Sequence, residues 1–213
     1  MRITVFGATG QIGSRIVAEA QARGHDVTAV VRTPRRPGDL PAGAGIRIGD
    51  ATSAADVAAL GAGQDLIVGA TRPAPGAEEQ LPAMARALLA GAAASGVRLL
   101  LVGGSATLTL PGSGGVQVMD GPDFPAPWLP IARACAVQLE TCRAAEPGAD
   151  WAYASPPHLI LPGERTGAYR LGGDELVVDE AGESALSMED FAVALLDEAE
   201  RPKHHRTRFT VGY

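Results

Sequence analysis

Lysine is almost missing from this chain: of its 18 basic residues only Lys203 is one, and the rest are arginines. Acids number 24, so the formal net charge is −6. That leaves no basic surplus for a nucleic-acid backbone, although a phosphate on a small ligand stays within an arginine's reach. Long apolar runs are also absent. Nothing approaches the roughly 18 consecutive apolar residues of a membrane span, and no charged segment leads into an apolar core as in a secretory signal. The expectation is a cytoplasmic protein with no membrane partner. Cysteine is scarce as well. Cys135 and Cys142 stand in one helical-looking stretch, separated by about 10 Å at a rise of about 1.5 Å per residue, too far for a disulfide. Reduced thiols are expected, and no neighbours complete a metal-ligand spacing.

What is present is a regular alternation. At 213 residues, 46% of them hydrophobic, the chain has the size of one well-buried domain, taken as residues 1–213. Apolar strands at Ile3–Phe6, Val27–Val31, Ile46–Ile48, Leu66–Val68, Val97–Val102 and Trp151–Ala154 alternate with helical patterns over Gln11–Arg23, Ala54–Leu60, Ala77–Ala94 and Leu129–Ala145. Such alternation predicts an α/β fold, a doubly wound parallel sheet of the Rossmann type with helices on both faces. Gly96 ends the third helix, and Ser187 caps a last helix with Asp190 in the position of a capping-box partner. Tyr169–Leu171 and Glu175–Val178 read as a hairpin turning at Gly172-Gly173, and Phe209–Tyr213 as a closing strand. From Gly103 to Pro130 the composition turns to Gly, Pro, Ser and Asp, which predicts a long, mobile loop over the site.

The opening MRITVFGATGQIG sets Gly7, Gly10 and Gly13 between the first strand and the first helix. Glycines so placed allow a tight turn, a close approach of backbone to phosphate, and close helix–strand packing. Gly7, Thr9, Gly10, Gln11, Ile12 and Gly13 are therefore the candidate diphosphate turn, with the Gln11 and Ile12 amides facing an anion at a helix N-terminus. The second strand bears on which dinucleotide is bound. An acid there would hold a ribose 2′-hydroxyl, but this strand ends Val31-Arg32-Thr33, with Arg35 and Arg36 beyond. Arg32 can pair with a 2′-phosphate and Thr33 adds a donor, which predicts NADPH or NADP ahead of NADH. Asp50 and Ala51 end the third strand, where Asp50 either accepts from an adenine amino group or caps the next helix. Gly69, Ala70, Thr71 and Arg72 end the fourth and are expected over a cofactor ribose or diphosphate.

FGATGQIG, VVR, GDAT, GATR, GGSA and SPPH together resemble the atypical short-chain dehydrogenase/reductase group, which contains biliverdin IX-beta reductase (flavin reductase) and the NmrA-like proteins. The similarity runs over essentially the whole chain. It implies that Gly104 and Ser105 lie near a nicotinamide, that Pro156, Pro157 and His158 form a wall over it, and that Ser105 and His158 are the catalytic candidates. Each has another reading: Ser105 can satisfy loop backbone groups, and His158 can hold two Pro-rich loops together. His25, His204 and His205 are expected to be solvated. Phe124 and Trp128 either line a substrate pocket or anchor the loop. Conventional members of the superfamily use a tyrosine with a lysine four residues on as their acid. Tyr153, Tyr169, Tyr213 and the single Lys203 stand in no such spacing, which also weakens an epimerase or dehydratase reading. A hydride donor without a strong acid suits a flavin or quinone, whose proton solvent can supply. The expectation is an NADPH-dependent reductase acting on a small molecule, as a monomer or small homo-oligomer. The alternative is an NmrA-like redox sensor without turnover, which the short chain disfavours.

Overall fold

The computed structural model describes residues 1–33, 40 and 43–213. Arg35 and Arg36 lie outside the described residues. In chain order the elements are β1 (Arg2–Phe6), α1 (Gln11–Ala22), β2 (Asp26–Val31), β3 (Gly45–Ile48), α2 (Ala54–Gly61), β4 (Leu66–Gly69), α3 (Gln80–Ser95), β5 (Arg98–Val102), α4 (Leu129–Arg143), β6 (Trp151–Ser155), β7 (Leu159–Leu161), β8 (Arg170–Gly172), β9 (Ala185–Ser187), α5 (Met188–Glu200) and β10 (Thr207–Gly212). Eight strands form one sheet in the order β3-β2-β1-β4-β5-β6-β10-β8. All neighbours pair in parallel except β8, which runs antiparallel to β10. This is the doubly wound α/β sheet that the alternation predicts.

Alternate residues of each strand feed opposite layers, because side chains of a strand alternate in direction. Ile3, Val5, Ala29, Val68 and Leu100 pack against Ile16, Val17 and Ala20 of α1 and Phe191, Leu195 and Leu196 of α5. On the other face Phe6, Val30, Ile67, Leu99, Leu101, Trp151 and Tyr153 meet Val57 of α2, Leu88 and Leu89 of α3 and Leu139 of α4. Helix ends follow local rules. Ser53 and Ser187 accept from the Asp56 and Asp190 amides at 3.2 and 3.0 Å, and Gly96 takes φ +68° beyond α3, where a side chain would be strained.

Four expectations need correction. Glu175–Val178 is not a hairpin arm: Arg170–Gly172 pairs instead with Thr210–Gly212, because the buried last strand, already laddered on β6, leaves an edge open to it, while Glu175 bridges to Thr109. The Pro-rich segment after β6 contains β7, which pairs in parallel with β9. Asp190 does not close a capping box. Its carboxylate accepts from the Thr166 hydroxyl, the Gly167 amide and the Tyr213 hydroxyl at 2.6, 2.7 and 2.7 Å, and these bonds hold its pKa down against the effect of burial. Lastly, the 103–130 segment is not simply a loose strap. Leu108, Val118 and Leu176 form a small core of their own, with Phe124 packed on it. Phe124 is thus an anchor of the loop, whereas Trp128 remains 53% exposed.

Candidate functional site

Because β1, β2, β3, β4, β5 and β6 run parallel, their C-terminal ends share one edge. The segments that follow them are the six stretches singled out from the sequence: Gly7–Gly13, Arg32–Thr33, Gly49–Ala51, Ala70–Arg72, Gly103–Ser105 and Pro156–His158. Chain order reverses between β1 and β4, and a crevice opens at such a switch point, outside the carboxyl ends of the strands.

The three glycines divide the work. Gly7 has φ +82°, and a Cβ there would stand 2.2 Å from the Ala70 carbonyl oxygen, so the turn after β1 is pressed onto the turn after β4. A Cβ on Gly13 would stand 2.1 Å from the Gly7 carbonyl oxygen; only glycine lets α1 sit so close to the turn. Gly10 is exposed, and its nearest neighbour for a Cβ is the Gly7 carbonyl at 3.3 Å. Nothing in the fold itself requires glycine as strictly there, which fits a position kept bare for a ligand. Ser14 donates the first intrahelical bond, to Gly10. The Gln11 and Ile12 amides precede it and no side chain caps the helix, leaving donors free for an anion.

Around this turn several polar groups have no partner among the described residues. Arg32 and Thr33 are exposed at the end of β2, and Arg72 is exposed after β4. Arg72 also acts on Cys135 of α4, where it partly offsets the burial that raises the thiol to about 11, and on Glu78 ahead of α3, whose carboxyl the Gly76 amide chiefly holds down. The Ser105 hydroxyl and the His158 ring carry no hydrogen bond; only their backbones do, the Ser105 carbonyl accepting from Leu108 and the His158 amide donating to Ser184 Oγ at 3.3 Å. Among the described residues neither side chain takes the bonding role that a purely structural serine hydroxyl or imidazole would have. Pro156 and Pro157 are buried and His158 is exposed. Asp50 is partly occupied: Oδ1 accepts from the Thr52 amide at 2.8 Å, and Ser53, not Asp50, caps α2.

Two features were missed in the sequence. Ser155, fully buried at the end of β6, has a hydroxyl without a partner; the SPPH motif contains it, but nothing local marks it as buried. Arg208, 7% exposed on β10, donates to Asp174 Oδ1 at 2.8 Å and to Thr107 Oγ1 at 2.8 Å, fixing the turn that carries Ser105. Standing next to Arg206-Thr207 in a basic stretch, it gave no local sign of burial. Tyr153, by contrast, is structural. A Cβ on Gly103 would meet its ring at 1.9 Å, its hydroxyl donates to Gln138 Oε1 at 3.0 Å, and burial pushes its pKa well up.

A family model described as NAD(P)H-binding matches residues 7–200. The chain belongs to that family. YwnB, an uncharacterized Bacillus subtilis (strain 168) protein, is 35% identical over 99% of this chain and 98% of its own. A Burkholderia pseudomallei protein, provisionally named as exported, has a solved structure that superposes with TM-score 0.90 at 39% identity, covering 100% of both chains. SP1627 of Streptococcus pneumoniae TIGR4, provisionally named an NADH-flavin reductase, superposes with TM-score 0.88 at 30% identity over 100% of this chain and 99% of that one. The fold is accordingly a reductase-like, nicotinamide-cofactor-binding one.

Of the remaining histidines His25 and His204 are largely covered, and His205 is solvated as expected, at 59% exposed. His25 Nε2 lies 2.8 Å from Glu200, His204 Nδ1 lies 2.8 Å from Glu198 and stacks on Phe209, and His205 Nδ1 lies 3.0 Å from Asp150. Each binds an acid remote from the rim. Among the described residues no group of His, Cys, Asp and Glu could hold a metal ion, and no helix is long and apolar enough to cross a membrane.

Proposed function

We propose that this protein is an NADPH-dependent reductase delivering hydride to a planar, electron-poor acceptor such as a flavin or quinone. The observation that carries the reading is an open glycine turn beside an unpartnered arginine, Arg32, at the end of β2 where an NAD-selective site has an acid. The bare Gly10 and the free Gln11 and Ile12 amides suit a diphosphate. Arg32 and Thr33 suit a 2′-phosphate, Asp50 and Ala51 an adenine edge, and Gly69 to Arg72 the ribose and diphosphate. Reduced nicotinamide supplies the hydride. Gly104, Ser105, Pro156 and Pro157 border its ring; the free Ser105 hydroxyl donates a hydrogen bond to an oxygen or nitrogen of the acceptor, and His158 forms the far wall. With no tyrosine–lysine pair, the proton comes from solvent, which favours acceptors that need little acid help.

Calorimetric titration of NADPH and NADH tests the cofactor half. NADPH is expected to bind more tightly by about one and a half to three decades, the worth of a bidentate phosphate contact, and Arg32→Asp abolishes the preference. Equal affinities overturn that assignment. Gly10→Val is expected to leave the circular dichroism unchanged and to remove binding. The acceptor half is tested by following NADPH absorbance against FMN, FAD, quinones and linear tetrapyrroles. Ser105→Ala and His158→Ala should each slow turnover by about 3- to 100-fold. Tight cofactor binding with no turnover on any acceptor returns the reading to a redox sensor of the NmrA-like kind.

A further inference from the structure

Three large apolar side chains at the Ser105–His158 end of the rim are left uncovered by the fold: Trp128 is 53% exposed, Leu159 48% and Leu161 55%. Cys135 of α4 lies against Gly104, its Sγ 2.9 Å from a would-be Cβ there. Trp128 stands seven residues earlier, two helical turns or about 10 Å toward the N-terminus on the same face, and so rises above the Gly104-Ser105 turn on the α4 side. Leu159 directly follows His158 and Leu161 shares its face of β7, while Ile160 between them turns into the α1–α5 core. The charge on these segments has one sign. Residues 103–130 contain no lysine or arginine, and the one arginine of residues 156–168, Arg165, is spent on Glu19 through two bonds of 2.7 and 2.8 Å. The exposed carboxylates of Asp120, Asp123 and Glu164 have no partner among the described residues.

A phosphate is recognised by cations and a hydrocarbon chain by apolar surface. We propose that the acceptor site is built for an uncharged quinone bearing a hydrocarbon side chain, with Trp128 covering the ring and Leu159 and Leu161 carrying the chain, and that it disfavours phosphorylated acceptors such as FMN. The proposal rests on the reductase reading above and narrows it. In the reaction the quinone takes up, with its electron pair, the hydride that reduced nicotinamide supplies. The hydroquinone anion so formed takes one proton from solvent, and the nicotinamide is left oxidised. An indole packs its flat face on a ring at little cost in side-chain freedom. Each methylene moved from water onto Leu159 and Leu161 is worth up to about fourfold in affinity. A phosphate carried onto the same segments meets free carboxylates and no free guanidinium, and like charges there are repelled.

Matched acceptor pairs test this in steady-state NADPH oxidation: a dimethoxy-methyl-benzoquinone without a chain against the same ring with a five-carbon chain, and riboflavin against FMN. The chain should raise kcat/KM about tenfold or more, mainly through KM, and the phosphate should lower it about threefold or more. Leu159→Ser/Leu161→Ser should cut the chain's advantage to about twofold with unchanged circular dichroism, since both side chains are exposed. Asp120→Asn/Asp123→Asn should narrow the gap between FMN and riboflavin. Binding is read without turnover, in the presence of NADP, by quenching of tryptophan emission. Trp151 is 1% exposed, so the chain-bearing quinone should quench the Trp128 component, and Trp128→Phe should remove it. No gain from the chain, a gain that Leu159→Ser/Leu161→Ser leaves intact, or FMN ahead of riboflavin overturns the proposal and leaves the reductase reading standing. Absence of turnover with every acceptor overturns both.

Discussion

Both faces of the sheet bury an apolar core, but one adds ion pairs between its helices and the other does not. On the α1–α5 side, ion pairs join the helices: Arg15 to Glu189 at 2.6 Å, and Arg23 to Asp197 and Glu200 at 2.8 and 3.0 Å. At their centre Glu19, 6% exposed, accepts from Arg23 at 2.8 Å and from Arg165 at 2.7 Å. The hydrogen bond from Arg165 leads those that carry Glu19 down to about 2, against burial and with Arg23 assisting. On the α2–α3–α4 side no ion pair joins α3 to its neighbours among the described residues. Close apolar packing does that work, as where Gly91 meets Val57 at 2.4 Å from a would-be Cβ. The polar side is saturated with its own partners; the apolar side keeps Arg133 and Glu79 pointing outward. The lesson is that a helix layer fixed by charges should answer to pH and salt, and one fixed by shape should not.

The strongest test of that contrast is at the glycine turn, which neither mechanism protects. Gly13→Val drives a branched side chain into the Gly7 carbonyl and should cost about 3 kcal/mol or more in urea unfolding, with α1 displaced. Next is Glu19→Ala, which strips Arg23 and Arg165 of their shared acid. Because Arg165 is half exposed and can return to solvent, the expected loss is about 2 kcal/mol rather than the 3–5 of a fully buried pair. The same residue sets a pH dependence. Its folded pKa lies below the unfolded value, so its stabilisation is complete above about 4.5 and disappears as pH falls toward about 2. Glu189, Asp190 and Asp197, also lowered, act in the same direction. Thermal melts between pH 2 and 6 should show a steep fall that Glu19→Gln flattens. Gly91→Ala, on the other face, should cost about 1–2 kcal/mol by crowding Val57, with the same penalty at pH 4 and 7. A strongly pH-dependent penalty there breaks the comparison. Smallest of all, Arg133→Ala should change stability by less than about 0.5 kcal/mol in a thermal melt.

The parallel order of the sheet, the glycine turn and the six rim segments were legible in the sequence because their causes are local. Strand alternation, a bare turn before a helix and a cap residue all act within a few residues, and parallel strands must then bring their carboxyl ends to one edge. The partners of Glu19, Asp190 and Arg208 were not legible. Arg165 stands 146 residues from Glu19, and Thr107 stands 101 from Arg208; no local pattern selects one partner among so many charges. Nor could spacing decide that β8 would join β10, since a Gly-Gly turn favours a hairpin until a better ladder competes. Sequence by itself determined the tight turn after β1, because only glycine tolerates the positive φ and the close approach there. Tertiary structure alone decided which of the two helix layers is closed by its own ion pairs and which remains open, because long-range pairing depends on what the fold brings together.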